Sequence, residues 1–247
     1  MNTYGVTLLS GGLDSTTVAT YAKTKVNHMS AITFDYGQSH SKEVICAKQI
    51  ADIMSLEHKI IDISFLTEIA WYSALTNPEL FPVPDSGQEG LQGHGIPITY
   101  VPLRNTIFVS LAASYLESTI LHAIESNGRN PNQISAAVYL APNAIDYSGY
   151  PDCRPEYFLQ MQKTLEHGSK LWLEYGIPIS IETPIIKLSK KEIAQLGTKL
   201  NAPIEHTWSC YRAGDTPCTT CDSCVLRAKG FSEAKIVDPL FDRLGLQ

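Results

Sequence analysis

One stretch decides the fold of this chain: Leu8-Leu9-Ser10-Gly11-Gly12-Leu13-Asp14-Ser15-Thr16. It joins the apolar residues 4–9, which are typical of a strand, to residues 14–26, which have a helical period. Unpaired N–H groups and the helix dipole favour anions at the start of such a helix. Gly11 and Gly12 lack Cβ atoms, so the backbone can curl closely around phosphate oxygens. We therefore predict a phosphate-binding loop between a first strand and a first helix.

The polar side chains of this loop fit the same interpretation. Ser10, Ser15 and Thr16 offer hydroxyl donors, and Asp14 either caps the helix or helps to hold magnesium. An ordinary turn followed by a capped helix would use similar residues. The stretch is neither a Walker A loop nor a GxGxxG dinucleotide fingerprint. The residues expected to contact ATP are Leu8, Leu9, Ser10, Gly11, Gly12, Leu13, Asp14, Ser15, Thr16, Thr17 and Val18.

Strands and helices alternate along the rest of the chain. This alternation indicates βαβ units, and we predict an α/β fold: a Rossmann-like parallel sheet with helices on both faces. A lid is expected at residues 75–95 and a surface insertion at 125–133. Apolar and β-branched runs predict strands at residues 4–9, 30–35, 58–63, 134–140 and 177–182. Helical periods predict helices at residues 14–26, 42–54, 106–118, 155–175 and 189–200.

Length and composition limit the class of protein. A chain of 247 residues can bury one large core, so we expect a main domain at residues 1–200 and a small C-terminal segment at 201–247. No stretch approaches the roughly 18 uninterrupted apolar residues of a membrane span. The N-terminus lacks a signal-peptide pattern, which predicts a cytoplasmic location. A net charge of -6 argues against nucleic-acid binding and favours a small-molecule substrate.

Four of the six cysteines lie close together, as Cys210-x7-Cys218-x2-Cys221-x2-Cys224. Four thiolates at this spacing can surround Zn²⁺ as a tetrahedron, so we predict a C-terminal zinc-binding segment with one structural zinc ion. A redox pair and an iron–sulfur cluster are the alternatives, because four cysteines suit either. The neighbouring basic residues contact thiolates or phosphates, or are exposed charges: Arg212, Arg227 and Lys229.

Further polar segments follow predicted strands or precede predicted helices. They are residues 34–40 (FDYGQSH), 101–105 (VPLRN), 146–155 (DYSGYPDCRP) and 183–192 (TPIIKLSKKE). Because ligands of open α/β sheets bind at the carboxyl ends of the strands, we expect these segments to meet around one site.

The motifs also carry a resemblance to a known family. SGGLDS, FDYGQSH, YVPLRNT, DYSGYPDCRPEY, TPIIKLSKKE and WSCY…CTTCDSCVLR are similar, in the same order, to those of the 7-cyano-7-deazaguanine synthases of the queuosine pathway. The resemblance covers residues 4–231, and DYSGYPDCRP with the four cysteines is more specific than the loop alone. SGGLDS itself resembles the PP-loop of the ATP pyrophosphatases, which implies an adenine nucleotide alpha hydrolase-like fold. The chain departs from the family pattern at residues 125–133 and 138–143.

The resemblance implies a ligase that forms carbon–nitrogen bonds. A 7-carboxy-7-deazaguanine carboxylate would attack the α-phosphorus of Mg-ATP, and ammonia would convert the acyl adenylate to an amide. A second ATP would activate the amide oxygen so that elimination gives the nitrile. The family also implies a homodimer. The alternatives are a relative that stops at the amide or modifies a macromolecule, a tRNA sulfur-transfer enzyme, and an inactive nucleotide-binding scaffold.

Physical reasoning on the motifs gives roles for single residues. Arg104 and Lys190 would stabilise negative charge on the phosphoryl group, close to Asp14; a salt bridge to Glu192 or Glu117 is the structural alternative. Carboxylates accept the N–H donors of a guanine-like ring and aromatic side chains stack on its faces. The residues expected to bind the deazaguanine are Tyr36, Gln38, His40, Asn105, Asp146, Tyr147, Tyr150, Asp152 and Arg154.

Three further side chains are interpreted by their surroundings in the sequence. His40 is either a proton shuttle or a residue that caps or packs at the start of a helix. Cys153 is expected to line the substrate site without acting as a nucleophile, since adenylation already activates the acyl group. Cys46 is expected in the core.

Overall fold

A five-stranded sheet forms the centre of the protein. The computed structural model describes residues 1–37, 41–83, 95–145, 149–212 and 214–246. The strands are β1 (Asn2–Leu8), β2 (His28–Asp35), β3 (Glu57–Asp62), β4 (Ile134–Tyr139) and β5 (Ile179–Glu182). Their order in the sheet is β3-β2-β1-β4-β5, and every neighbouring pair is parallel. The five predicted strands and the parallel sheet are confirmed.

The strand order reverses at β1. From β1 the chain builds β2 and β3 on one side and then returns to place β4 and β5 on the other side. Val6 of β1 lies opposite Ser30 of β2 and Val138 of β4, which fixes the register on both sides. In an open α/β sheet such a reversal leaves a crevice at the carboxyl ends of the two diverging strands. Here the crevice lies beyond the ends of β1 and β4.

Helices connect the strands and follow the last one. In the described ranges the α-helices are α1 (Leu13–Lys23), α2 (Ser41–Ile53), α3 (Leu66–Ile69), α4 (Arg104–Glu125), α5 (Pro155–Gly168), α6 (Lys170–Tyr175), α7 (Lys190–Lys199), α8 (Asp222–Ala234) and α9 (Pro239–Leu244). Short 3-10 helices lie at Pro131–Gln133, Pro151–Cys153 and Ile204–His206.

Some helices differ from the sequence-based expectation. The single helix predicted at 155–175 is two helices, because Ser169 has an extended backbone and caps α6 by accepting from the Trp172 N–H at 3.0 Å. Helix α4 starts at Arg104 and is longer than the predicted 106–118. Helices α3, α8 and α9 were not predicted. Residues 84–94 of the predicted lid at 75–95 lie outside the described residues, so the lid stays a prediction. In the surface insertion predicted at 125–133, residues 126–130 are exposed as expected.

Helices cover both faces of the sheet. On one face Val6 packs with Leu116 and Ile120 of α4, all at most 2% exposed. On the other face Tyr139 packs with Ile193 of α7 and with α1. Burying one such aliphatic side chain contributes about 1.5–3 kcal/mol, so the two layers hold the sheet edge firmly in place. The predicted α/β class is confirmed.

Helix α4 is also notable for its composition. Among the described helices it is the one long and apolar enough, by those two properties, to cross a membrane. In this fold its buried side chains, Val109, Leu116 and Ile120 among them, are packed in the protein core.

The C-terminal segment packs closely on the rest of the fold. A Cβ atom at Gly230 of α8 would lie 2.6 Å from Lys190 Cγ, so α7 and α8 touch at this point. Arg227 is 3% exposed and donates to both carboxylate oxygens of Asp238, at 2.6 and 2.9 Å. The interpretation as an exposed charge is therefore wrong for Arg227, while the Lys229 side chain is 66% exposed as expected. The domain boundary at residue 200 stays a prediction.

Candidate active site and metal centre

A cleft of about 300 Å³ lies at the carboxyl ends of β1, β2 and β4. This is the position of the crevice beside the strand-order reversal. Segments that are far apart in the sequence meet in its walls. They are the phosphate loop, α2, the first turn of α4, residues 140–143, Lys190, residues 208–211 and α8.

The phosphate loop turns sharply between β1 and α1. Gly11 has φ of +84°, which other residues rarely adopt, and a Cβ atom there would lie 2.4 Å from the Glu43 carbonyl oxygen. Gly12 is the N-cap of α1, and no side chain caps this end. Ser15 Oγ donates to the Gly12 carbonyl oxygen at 3.1 Å and accepts from the Ser10 N–H at 3.2 Å. The first N–H groups of α1 therefore face the cleft edge without a capping side chain, as an anion site requires.

Not every residue predicted to contact ATP lines the cleft. Thr16, Thr17 and Val18 are completely buried in the packing face of α1, and Thr17 Oγ1 donates to the Leu13 carbonyl oxygen at 2.9 Å. Gly11 acts through its backbone conformation and is not among the lining residues. The predicted residues that line the cleft are Leu8, Leu9, Ser10, Gly12, Leu13, Asp14 and Ser15.

Asp14 and Lys190 form an ion pair across the cleft. Lys190 Nζ lies 2.8 Å from Asp14 Oδ2, and the two side chains are 11% and 24% exposed. The pair joins the first turn of α1 to the first turn of α7. The Glu192 carboxylate accepts from both the N–H and the hydroxyl of Ser189 and closes a capping box, as expected for the start of a helix. The structure thus places Lys190 beside the phosphate loop.

Arg104 lies on the opposite wall, at the start of α4. Its Nη1 donates to the Tyr36 hydroxyl at 3.4 Å. Burial lowers the pKa of Arg104, but Tyr36, Tyr150 and Asp152 raise it by a larger amount. The pKa is therefore raised overall, and the side chain is a fixed cation. Leu103, the N-cap of α4, has φ of 56°, a conformation that costs about 1–3 kcal/mol for such a residue. The backbone before Arg104 is therefore held in a strained geometry.

The residues expected to bind the deazaguanine divide into groups. Tyr36, Asn105 and Tyr150 line the cleft. Asp152 is buried just behind it and accepts from the Asn105 N–H at 3.1 Å, and burial raises the pKa of its carboxyl group. Arg154 is exposed and is the N-cap of α5, outside the lining of the cleft. Gln38, His40, Asp146 and Tyr147 lie outside the described residues.

Both lone cysteines lie where the sequence predicted. Cys153 is buried and lines the cleft, and burial raises the pKa of its thiol to about 11. A thiol of this kind is protonated at neutral pH and is a poor nucleophile. Cys46 of α2 is 5% exposed and belongs to the core under the phosphate loop.

Three further lining residues were given no individual role from the sequence. Glu43 in the first turn of α2 lines the cleft, and burial raises the pKa of its carboxyl group to about 7, partly offset by the charge of Arg104. The backbone N–H of Trp208 donates to the Gly11 carbonyl oxygen at 2.8 Å, so the C-terminal segment fixes the phosphate loop. Asn143 is 4% exposed and donates to the Leu188 carbonyl oxygen at 2.7 Å. The signals for them were weak: Glu43 and Asn143 lie next to motifs and Trp208 lies in one, but only packing brings them to the cleft.

The four cysteines of the C-terminal segment form a compact cluster. Their sulfur atoms all lie within 4.8 Å of one another, and Cys218 Sγ is 3.9 Å from Cys224 Sγ. A tetrahedral ion with metal–sulfur bonds of about 2.3 Å needs sulfurs about 3.8 Å apart. A four-iron cluster would hold its cysteines farther apart, because the cube of iron and sulfide fills the space between them. The cluster therefore fits a single tetrahedral metal ion.

Backbone groups prepare two of these sulfurs, those of Cys210 and Cys218, to act as thiolates. The N–H groups of Cys218 and Arg212 donate to Cys210 Sγ at 3.3 and 3.4 Å, and the Cys221 N–H donates to Cys218 Sγ at 3.3 Å. Thiol donors from Cys221 and Cys224 and these N–H groups lower the pKa of Cys210. The segment that carries the cluster also supplies Trp208 and Cys210 to the cleft wall, so the metal site borders the phosphate loop.

Comparison with known proteins gives the family. The sequence model of a family described as "Queuosine biosynthesis protein QueC" matches residues 4–235 of this chain. The chain belongs to the QueC family. A 7-cyano-7-deazaguanine synthase of Thermoplasma acidophilum is 45% identical over 235 residues, which cover 95% of this chain and 90% of that protein. A 7-cyano-7-deazaguanine synthase of Trichodesmium erythraeum is 45% identical over 236 residues, with 95% and 98% covered.

Membership of the QueC family confirms the predicted resemblance and places the chain among enzymes of queuosine biosynthesis. Solved structures resemble it more distantly. A 4-thiouridine synthetase in complex with RNA and bound ATP is 15% identical with a TM-score of 0.46, covering 93% of this chain and 53% of that one. The U34-tRNA thiolase NcsA from Methanococcus maripaludis, with its [4Fe-4S] cluster, is 12% identical with a TM-score of 0.42, covering 100% and 72%.

Proposed function

We propose that this enzyme uses ATP to convert 7-carboxy-7-deazaguanine and ammonia into 7-cyano-7-deazaguanine. The observation that carries the proposal is the cleft itself. Its walls bring together a phosphate loop with an uncapped helix start, the Lys190 ammonium, Arg104 and two buried tyrosines. The loop and the cations suit a nucleotide, the tyrosines suit a planar heterocycle, and the relatives named above carry this activity in their names.

The residues of the cleft have separate tasks in this reaction. The phosphate loop binds the β- and γ-phosphates, so that the α-phosphorus is presented to the carboxylate of the substrate. Lys190 and Arg104 are fixed cations that stabilise the charge that develops on the phosphoryl group. Asn105 and Tyr150 hold the heterocycle. Magnesium, bound with ATP, neutralises phosphate charge, and Asp14 is the carboxylate of the loop that could hold it.

Activation by ATP is needed twice. A carboxylate oxygen and an amide oxygen are poor leaving groups, whereas AMP leaves readily once either oxygen is bonded to the α-phosphorus. In each adenylation the substrate oxygen attacks the α-phosphorus and displaces pyrophosphate. Ammonia then displaces AMP to give the amide, and loss of AMP after the second adenylation gives the nitrile. By this series of reactions the enzyme is a ligase that forms carbon–nitrogen bonds between small molecules.

We also propose that the cysteine cluster binds one zinc ion with a structural role. Four protein thiolates complete a tetrahedron and leave no position for a substrate. The ion would hold residues 208–211 and α8 against the phosphate loop. The homodimer and the cytoplasmic location stay predictions.

A product assay tests the proposed function. The purified protein is incubated with 7-carboxy-7-deazaguanine, ammonium and Mg-ATP, and the products are identified by mass spectrometry. We expect the nitrile together with AMP formed only when the carboxylate is present. Accumulation of the amide alone would support the relative that stops at the amide, and no carboxylate-dependent AMP would support an inactive scaffold. Either result would overturn the proposal.

A further inference from the structure

Glu43 stands in the first turn of α2 and lines the cleft. The phosphate loop packs directly against this turn, since a Cβ atom at Gly11 would be 2.4 Å from the Glu43 carbonyl oxygen and 2.8 Å from the Ala47 nitrogen. The position of Glu43 is therefore fixed relative to the phosphate loop. Its carboxylate borders the same space as Asp14 and Arg104.

The Glu43 carboxylate differs from the other acidic groups at the site. Asp14 is paired with Lys190, and Asp152 accepts from the Asn105 N–H. Within the described ranges Glu43 makes no hydrogen bond and no ion pair through its carboxylate. It is thus a carboxylate beside the phosphate loop to which no donor among the described residues is bonded.

The surroundings also suit a group that takes up and releases protons. Burial raises the pKa of the Glu43 carboxyl group to about 7, and Arg104 lowers it by a smaller amount. A general base works best when its pKa is near the working pH. Among the described residues, the charged and titratable groups that face it or share its cleft are Tyr36, Cys46, Arg104, Asp14, Lys190, Arg227, Tyr150, Cys153, Cys210 and Tyr211.

We propose that Glu43 accepts the protons that nitrogen must lose during amide and nitrile formation, an inference that rests on the proposed function. When ammonia attacks the acyl adenylate, a C–N bond forms, the C–O bond to AMP breaks, and one N–H proton passes to Glu43 while its electron pair stays on nitrogen. The adenylated amide then loses its two N–H protons one after the other. Loss of the second proton converts the C=N double bond into the triple bond of the nitrile and expels AMP with the C–O electron pair. Between transfers Glu43 returns each proton to water.

The test measures how the variant Glu43→Gln reacts with two nitrogen nucleophiles, ammonia and hydroxylamine, in comparison with wild type. At neutral pH most ammonia is protonated ammonium, whereas hydroxylamine is uncharged and traps the acyl adenylate as a hydroxamate with less need for a base. We expect E43Q to lower amide and nitrile formation about 10²–10⁴-fold, the usual contribution of general base catalysis. Hydroxamate formation should fall by less than about tenfold. The rise of kcat/KM around pH 7 should disappear in the variant.

Two further variants separate a chemical role from a structural one. Asp52→Asn removes an exposed carboxylate from the same helix, α2, and should leave both products within about twofold of wild type. Glu43→Ala leaves space for a small carboxylate, so added acetate should restore part of its nitrile formation. Nitrile formation by E43Q within about threefold of wild type, or equal loss of nitrile and hydroxamate without acetate rescue, would overturn the inference. If wild-type protein forms neither amide nor hydroxamate, the proposed function itself fails and the inference fails with it.

Discussion

In the proposed reaction, Lys190 is the residue whose placement matters most for phosphate chemistry. Its ammonium lies 2.8 Å from Asp14 Oδ2 at the start of α1, where phosphate oxygens would also be bound. We expect Lys190→Met to lower kcat/KM for carboxylate-dependent pyrophosphate release about 10²–10³-fold, as removal of one preorganised donor does. The exposed neighbour Lys191 provides the matched control, and Lys191→Met should stay within about twofold of wild type. Similar losses in both variants would argue against a role of Lys190 in the site.

Gly11 allows a second test at the same scale. Both Gly11 and Gly128 have positive φ, at +84° and +66°, but a Cβ atom at Gly128 would meet nothing within 4 Å. We expect Gly128→Ala to lower the free energy of unfolding by about 1–2 kcal/mol, the cost of the left-handed conformation. Gly11→Ala should cost clearly more, because its Cβ atom would also collide with the Glu43 carbonyl oxygen. Urea unfolding measures both, and equal losses would show that the loop can move away from α2.

Single residues were predictable where one short segment contains all the information. The turn of the phosphate loop follows from two glycines between a strand and a helix, and the structure places Ser10 and Asp14 at the cleft. Glu43 and Trp208 were not predictable, because their role depends on α2 and residues 208–211 packing against that loop. Arg154 shows the opposite case: its motif suggests the substrate site, but its place as N-cap of α5 keeps it exposed.

At the scale of elements, the contact between α7 and α8 controls where Lys190 lies. A Cβ atom at Gly230 would approach Lys190 Cγ to 2.6 Å and the Lys190 carbonyl carbon to 2.9 Å. Gly230→Ala should therefore push the two helices apart, with a cost of about 1–3 kcal/mol for overpacking. We expect a lower melting temperature together with reduced pyrophosphate release.

Gly168, at the end of α5, is the control for this change. It is exposed and a Cβ atom there would meet nothing within 4 Å. Gly168→Ala should alter the free energy of unfolding by no more than about 1 kcal/mol and leave activity unchanged. If Gly230→Ala keeps full activity despite a lower melting temperature, the contact between α7 and α8 does not position Lys190.

Elements were predictable in proportion to how regularly they bury apolar residues. Strands β1, β2 and β4 are largely buried between helices, so their sequences are rich in apolar and β-branched residues. The edge strand β3 is mostly exposed but still contains Ile60 and Ile61, and all five strands were found. Helix α8 escaped prediction because much of its buried side consists of Cys224, Arg227 and Gly230 instead of aliphatic residues. The break between α5 and α6 depends on the single side chain of Ser169.

At the scale of the whole molecule, the cysteine cluster connects the C-terminal segment to the cleft. We expect one zinc ion per chain by elemental analysis, and loss of zinc after treatment with a strong chelator. Without the ion, four sulfur atoms within 4.8 Å of one another would be left as competing thiols and thiolates, so the segment should loosen. The melting temperature should fall and carboxylate-dependent pyrophosphate release should be lost.

Substitutions of single cysteines distinguish the effect of losing zinc from the effect of losing any thiol. Cys221→Ser should abolish zinc binding, whereas Cys46→Ala, a change in the core outside the cluster, should keep one zinc ion per chain. Full activity in zinc-free protein would show that the ion does not support the cleft. Iron in place of zinc, seen by elemental analysis and colour, would contradict the choice of metal.

The contacts made by Trp208 and Gly230 have a consequence for the order in which the protein forms during synthesis. A ribosome releases β1 and the phosphate loop first, yet the loop is fixed by Trp208 and Lys190 is positioned by α8, both near the end of the chain. We expect nascent chains that end before residue 208 to bind ATP weakly even when their sheet is complete. The enzyme would thus become competent only after Trp208 and α8 have been synthesised.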